Sequence, residues 1–321
     1  MDSMELYQHW GINLDLALEA HELIRGATDR EIAGVREDKE NFPHATVTTV
    51  TIISPEGAKI MNKPIGSYIT IEAPDLRIID PEIQSAISSI ISQKLQSLLP
   101  IDDQSNILLV GLGNWNATPD ALGPKVISQT VVTRHLFHYA PDALSPGLRS
   151  VCALSPGVLG ITGIETAEII KGVVEKVHPT VVVVIDALAA KSVERVGSTV
   201  QIANTGISPG SGVGNQRSGI NQETMGVPVI AIGCPTVVHA ALIMEEAIVK
   251  LFEQLKMYQG LHPPVINEVI QNVLNPFGGN LAVTPKEIDT MVDNLAKTIA
   301  SGLTMALHPN VSQSNLSFYL Q

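Results

Sequence analysis

The sequence predicts an α/β protein with three layers, in which a mostly parallel β-sheet lies between two layers of helices. Two observations lead to this fold class. Short runs rich in β-branched residues alternate along the chain with longer stretches whose apolar residues recur at helical spacing. The run VVVVI at 181–185 is apolar at every position, as is typical of a strand covered by helices on both faces.

The first half of the chain shows these patterns in order. The run TVTTVTIIS has the β-branched content of a strand, and SYITIEA alternates between apolar and polar residues. Isoleucines and leucines recur every three or four residues after Pro81, and Pro124 stands at the first position of another helical stretch. The predicted elements are strands at 46–54, 67–73 and 106–110 and helices at 81–99 and 124–137.

The second half continues the alternation of strand and helix. A capping-box pattern, Thr162-Gly163-Ile164-Glu165, predicts the start of a helix that runs to a stop before Pro179. The remaining predicted elements are strands at 181–185, 199–203 and 227–232, a long helix at 237–255 and a helix near 285–303.

The composition argues against several classes of function. The chain has 321 residues, a formal net charge of −12 and a hydrophobic content of 45%. An acidic surface argues against direct binding to nucleic acid or to anionic membranes, because both attract positive charge. The polar N-terminus shows no signal peptide, and no apolar run reaches the ~20 residues of a membrane span. The two cysteines, Cys152 and Cys234, form no disulfide framework, which fits a reducing cytoplasm.

Two aspartates stand at predicted strand ends. Asp120 lies in the loop GLGNWNATPDALGP that follows the strand at 106–110, and Asp186 directly follows the apolar strand at 181–185. Open parallel sheets bind ligands at the carboxyl ends of their strands. If the two carboxyls share one site, one can stay protonated while the other acts as a base on water. The alternative is that each Asp caps a helix or fixes a turn.

A glycine-rich segment at 206–226 is the other unusual feature. It holds six glycines and few apolar residues, which suits either a mobile wall beside the site or a flexible surface loop.

Several cofactor motifs are missing: GLGNWN lacks the third glycine of a dinucleotide fingerprint, and neither a Walker A sequence nor an HExxH signature occurs. We therefore expect no cofactor and no metal.

The loop at 111–124, GLGNWNATPDALGP, resembles the germination proteases of spore-forming bacteria, also called GPR endopeptidases. The resemblance extends from about residue 13 to residue 255 and is weaker beyond. It is carried by further blocks in the same order, namely VTRHLF at 132–137, SPGVLGITGIETAEIIKG at 155–172, VIDALAAKSVERV at 184–196, QIANTGISPGSGVGNQR at 201–217 and GVPVIAIGCPTVV at 226–238.

The resemblance implies an atypical aspartic endopeptidase with Asp120 and Asp186 as its catalytic pair. Members of the family degrade small acid-soluble spore proteins during germination. They are made as self-processing zymogens, form homotetramers and act in the cytoplasm of the forespore and the spore core. The resemblance also implies a fold like that of hydrogenase-maturation proteases, with additional small β and helical segments.

A self-cleavage site follows from the same resemblance. The stretch from Leu14 to Glu19, LDLALE, is similar to the family's substrate signature, which is an acid, a large apolar residue, Ala, a variable residue and Glu. We expect the cut between Asp15 and Leu16, which makes 1–15 a propeptide. Residues 16–321 are then one protease domain with a C-terminal helical extension from about 260. The alternative is that the stretch only opens a helix.

Three cations near these motifs are candidates for substrate binding. Lys191, Arg195 and Arg217 could pair with an acidic side chain next to the scissile bond, or all three could be ordinary surface residues. One departure from the family pattern is Asn204, which stands where the family carries an acid.

A second function class stays open. A metal-dependent maturation-type protease, or a binding relative without catalysis, could share this fold. The metal-dependent alternative needs a histidine near the aspartate pair, and none occurs in 186–226.

Overall fold

The computed structural model describes residues 13–26, 31–210, 217–256 and 263–311. Within these ranges, nine strands form a single sheet. The strands are β1 (Val35–Phe42), β2 (Ala45–Ile52), β3 (Gly66–Glu72), β4 (Asn106–Gly111), β5 (Ser150–Leu154), β6 (Val181–Ala190), β7 (Thr199–Ala203), β8 (Val229–His239) and β9 (Ala282–Val283).

Eleven α-helices accompany these strands in the described ranges. The helices are α1 (Ala17–Gly26), α2 (Pro55–Met61), α3 (Pro81–Leu98), α4 (Leu122–Ser128), α5 (Arg134–Tyr139), α6 (Leu159–Thr162), α7 (Thr166–Val177), α8 (Gln222–Met225), α9 (Ala240–Gln254), α10 (Pro263–Leu274) and α11 (Ile288–Leu307).

The sheet has a parallel part and an antiparallel part. Strands β5, β4, β6 and β8 lie side by side in that order and pair in parallel. Strands β7, β3, β2 and β1 continue the sheet beyond β8 with antiparallel pairing, and β9 adds a short antiparallel pair. The α/β fold class is confirmed, and the sheet combines a parallel part with an antiparallel part.

Helices cover both faces of the parallel part, which gives the expected three layers. Helices α3 and α11 pack together on one face, where Ile91 and Leu303 are fully buried with strand residues such as Val183. On the other face, Ile170 and Val174 of α7 pack against residues of β4 and β6. Because β6 is covered on both sides, its first six residues are all buried, as the apolar run predicts.

The predicted helix at 124–137 is wrong, because the chain there forms two helices, α4 and α5. The interruption lies at Thr133, whose side chain is fully buried. The Thr133 backbone N–H donates to the Val151 carbonyl at 2.9 Å, and the Thr133 hydroxyl accepts from the Val151 N–H at 3.0 Å. These two bonds attach Thr133 to the edge strand β5, which prevents one continuous helix.

Two other predicted helix starts are also wrong. Helix α7 begins at Thr166, after Glu165, and no side chain caps it. The Thr162 hydroxyl instead accepts from the Ile164 N–H at 3.2 Å and lies within hydrogen-bond distance of the carbonyls of Val158 and Ile164. The residues from Val237 to His239, expected in the long helix, belong to β8, and α9 begins at Ala240. Pairing with β6 and β9 keeps these residues in the sheet.

None of the described helices is long and apolar enough to span a membrane.

Two helical glycines give a test of the packing between α3 and α11. A Cβ atom at Gly302 would lie 2.7 Å from the Ile91 side chain and 3.0 Å from the Ser88 carbonyl, whereas a Cβ at Gly172 would meet nothing within 4 Å. Gly302→Ala should therefore lower the free energy of unfolding by about 1 kcal/mol or more. Gly172→Ala should raise it by about 1 kcal/mol, because alanine favours helix. Urea denaturation of both variants measures the difference, and a stabilised Gly302→Ala would contradict the tight packing.

Candidate active site

One cavity of about 480 Å³ lies beyond the carboxyl end of β4 and beside the second half of β6, and it is lined by Asp15, Asp120 and Asp186. The two strands are neighbours in the sheet, with Gly111 opposite Ile185. Beyond that pair, the Leu112 N–H donates to the Ile185 carbonyl at 2.8 Å. The strand pairing therefore brings the two predicted aspartates to the same cavity.

Asp120 lies at the end of a 3₁₀ turn and is held by the loop that precedes it. The Asn114 N–H donates to the Asp120 carbonyl at 3.1 Å and to the carboxylate Oδ2 at 2.8 Å. This closure requires Gly113, which has φ +113°, because a Cβ there would lie 1.9 Å from the Asp120 carbonyl oxygen. The glycines of GLGN therefore position a carboxylate in this chain.

Asp186 lies inside a strand rather than after one. Strand β6 continues to Ala190, so that Asp186 is its sixth residue and neither caps a helix nor forms a turn. Its side chain is only 6% exposed, and its Oδ1 accepts a hydrogen bond from the Ala187 N–H at 2.9 Å.

Both carboxyls of the pair have raised pKa values. Burial is the main cause for Asp186, and the nearby negative charges of Asp120 and Asp15 raise its pKa further, well above the usual range for Asp. Burial also raises the pKa of Asp120, although the hydrogen bond from Asn114 opposes this effect. Such a pair favours one proton shared between two carboxyls, so that Asp186 can act as an acid and Asp120 as a base.

The predicted cleavage site lies at this cavity. The Asp15 carboxylate accepts a hydrogen bond from the Ala189 N–H at 3.0 Å, and Leu16 is fully buried. Both carboxylate oxygens of Glu19 accept from the Lys191 N–H, at 2.9 and 3.0 Å. The stretch also opens a helix, since α1 begins at Ala17.

The three candidate cations lie in two different places. Arg217 lines the cavity of the aspartate pair and forms an ion pair with Glu165 at 3.7 Å. Lys191 and Arg195 line a second cavity, of about 610 Å³. There Arg195 forms ion pairs with three acids, namely Glu19 at 3.5 Å, Glu22 at 2.7 Å and Glu72 at 3.1 Å. The contacts of Arg195 and Lys191 hold helix α1 rather than face the aspartate pair.

The glycine-rich segment contributes to the wall of the cavity at its described ends. Residues 207–210 and Arg217 line the cavity, and a bridge between Ile207 and Ile220 closes the base of the segment. Residues 211–216 lie outside the described residues. Asn204 does not line this cavity, since its side-chain carbonyl accepts from the Ser67 N–H at 2.8 Å.

The described ranges contain no group of three His, Cys, Asp or Glu side chains placed to hold a metal ion. Two further polar residues next to the site, Lys63 and Gln201, were not found from the sequence. No catalytic motif marks either residue, although Gln201 begins one of the blocks that carry the family resemblance, and Lys63 is far along the chain from both aspartates.

The chain is similar to known proteins along nearly its whole length. The family model described as germination protease matches residues 15–258 and 253–320. A germination protease of Clostridium tetani is 46% identical over 96% of this chain and 99% of its own length, and one of Bacillus cereus is 40% identical over 97% of each. The chain belongs to the germination protease family. As the family name implies, it is a peptidase.

A further germination protease, from Caldanaerobacter subterraneus, is 48% identical over 96% of this chain and 97% of its own length. Among solved structures, a [NiFe] hydrogenase maturation protease, HycI from Thermococcus kodakarensis, matches 65% of this chain and 98% of its own with 18% identity and a TM-score of 0.34. A likeness with that score supports no conclusion about this chain.

The coupling between the carboxyls can be tested by titration. Because Asp120 and Asp15 each raise the pKa of Asp186, Asp120→Asn and Asp15→Asn should each lower it, while Asp38→Asn on the exposed strand β1 should not. Carboxyl ¹³C NMR of the three variants measures the pKa. A value for Asp186 that is the same in all three would contradict the close placement of these groups.

Proposed function

We propose that this germination protease is an atypical aspartic endopeptidase in which Asp120 and Asp186 are the catalytic pair. The observation that carries the proposal is the cavity beside the end of β4 and the second half of β6, which is lined by two carboxyls with raised pKa values. A peptide bond hydrolysed there needs only water and these two groups, which can supply a base and an acid.

The reaction follows from the protonation of the pair. Asp120 takes a proton from a water molecule, whose oxygen bonds to the scissile carbonyl carbon and makes the carbonyl oxygen an oxyanion. Asp186 then gives its proton to the leaving nitrogen as the C–N bond breaks. The products are a carboxylic acid and an amine, and proton exchange with solvent restores the pair. Burial supports this division of roles, because Asp186 is the more deeply buried and so the better held in its neutral form.

We also propose that the chain is a zymogen that cuts itself between Asp15 and Leu16. Asp15 lines the cavity of the pair, and its carboxylate is bonded to Ala189. Residues 1–15 are then the propeptide, and 16–321 form the protease domain with the helical extension from about 260. With the segment seated there, Asp15 occupies space that a second substrate chain would need.

The substrates we propose are small acid-soluble spore proteins, cut during germination in the spore core by a homotetramer. Arg217 is the cation best placed to meet an acidic side chain of such a substrate, since it lines the cavity and its ion pair within the described part of the chain is a single one, to Glu165 at 3.7 Å. Lys191 and Arg195 are placed instead to keep helix α1 attached to the protein body.

Replacing either aspartate tests the catalytic pair. Asp120→Asn and Asp186→Asn keep the side-chain size but remove the base or the acid, so cleavage of a purified small acid-soluble spore protein should fall by about 10³-fold or more. Circular dichroism checks folding, and Asp38→Asn serves as the matched control. A folded Asp186→Asn protein that cleaves at the wild-type rate would overturn the assignment.

A parallel assay of the wild-type protein with a chelator tests the metal-dependent alternative, which predicts that the chelator abolishes activity.

Self-processing is tested on the full chain. Incubation of the purified protein should yield a product whose N-terminus is Leu16, and the Asp120→Asn chain should yield none. The product loses three acidic residues, Asp2, Glu5 and Asp15, and no Lys or Arg, so its net charge becomes less negative by three. N-terminal sequencing and intact mass measure the cut. A 321-residue chain that remains intact while fully active would show that no cut is needed.

A further inference from the structure

Two side chains outside the aspartate pair hold the peptide backbone around the bond between Asp15 and Leu16. The Lys63 ammonium donates to the Leu14 carbonyl at 2.9 Å and to the Asp15 carbonyl at 3.0 Å. The Gln201 side-chain amide donates to the same Asp15 carbonyl at 3.3 Å. Its own carbonyl oxygen accepts from the Ala17 N–H at 2.7 Å, on the other side of the bond. The Asp15 carbonyl oxygen therefore has two donors, one of them charged.

Both donors stand on fixed parts of the fold. Lys63 follows α2, and its N–H donates to the Ala58 carbonyl at 3.1 Å, so the residue is tied to the end of that helix. Gln201 lies within β7, opposite Gly233 of β8, and is 8% exposed. Donors held by regular elements need little reorganisation when charge develops on the oxygen that they face.

The surroundings of Lys63 suit this task. Burial lowers the pKa of Lys63, and the negative charges of Asp15 and Glu19 oppose that effect and favour the charged form. The Tyr68 ring lies 6.0 Å from the ammonium and offers a further favourable contact. A lysine whose ammonium reaches two backbone carbonyls in such a place is well suited to stabilise an oxyanion.

We propose that Lys63 and Gln201 stabilise the oxyanion that forms on the Asp15 carbonyl oxygen during self-cleavage. This inference rests on the proposed cut between Asp15 and Leu16. When water adds to the Asp15 carbonyl carbon, an electron pair moves from the C=O double bond to the oxygen, which becomes negative. The hydrogen bonds from Lys63 and Gln201 strengthen as that charge grows, and the pair returns to the double bond when the C–N bond breaks.

The first experiment compares self-cleavage rates of full-length chains. Lys63→Met removes the charged donor, and appearance of the product beginning at Leu16 should slow by about 100-fold. Gln201→Leu removes the weaker donor and should slow it by about 10-fold. Lys59→Met is the matched control, since it makes the same charge change at an exposed position of α2, and it should cut at the wild-type rate. Lys63→Gln, which keeps a neutral donor, is the second variant if Lys63→Met does not fold.

A second measurement separates catalysis from simple docking of the segment. In the uncut Asp120→Asn chain, hydrogen exchange of the Ala189 amide, which donates to the Asp15 carboxylate, reports whether Asp15 stays bound at the cavity. We expect the Ala189 amide to remain protected when Lys63→Met is added. A slowed cut with protection retained supports oxyanion stabilisation, whereas a slowed cut with protection lost overturns it in favour of a docking role.

The outcomes also separate this inference from the function on which it rests. If the wild-type chain is cut and the folded Lys63→Met chain is cut equally fast, only the role of Lys63 is overturned. If the wild-type chain is never cut at this bond although it cleaves spore proteins, the self-processing proposal and this inference fall together, and the aspartate pair stands.

Discussion

The burial of one carboxyl group beside two others is the interaction on which the site depends. Asp186 lies within a strand that helices cover on both faces, so its charge is poorly solvated. The carboxylates of Asp120 and Asp15 make ionisation still less favourable. An unpaired buried charge would be costly, so these surroundings favour the neutral form of the Asp186 carboxyl. A neutral acid next to a partly solvated carboxylate is what hydrolysis by an acid and a base requires.

The sequence predicts this site well where short-range patterns decide the structure. The apolar run at 181–185 fixes a covered strand, and the glycines at 111 and 113 mark a turn at the end of the neighbouring strand. The sequence predicts the structure less well where contacts between distant segments determine it. Strand β1 is almost entirely polar and exposed, and it forms because β2 pairs with all eight of its residues. The break near Thr133 depends on an edge strand that no local pattern marks.

The residues around the proposed cleavage site are also difficult to predict from the sequence. No catalytic motif marks Lys63 or Gln201, and they meet Asp15 only because the end of α2 and strand β7 come together beside the N-terminal segment. Arg195 shows the converse. In the sequence, Arg195 is a cation close to Asp186. In the structure, three acids from α1 and β3 surround Arg195, and its distance from Asp186 along the chain does not reveal them.

The N-terminal segment is held differently on the two sides of the proposed cut. After the bond, Glu19 is fully buried and is bound by the Lys191 N–H and by Arg195, so helix α1 stays attached to the body. Before the bond, Asp15 is held by the Ala189 N–H and Lys63 at the cavity itself. Cutting there would release Asp15 and leave α1 in place. The departure of that carboxylate removes one of the charges that raise the pKa of Asp186. The precursor and the processed chain would therefore differ in the electrostatics of the catalytic pair as well as in access to it, without any rearrangement of the sheet.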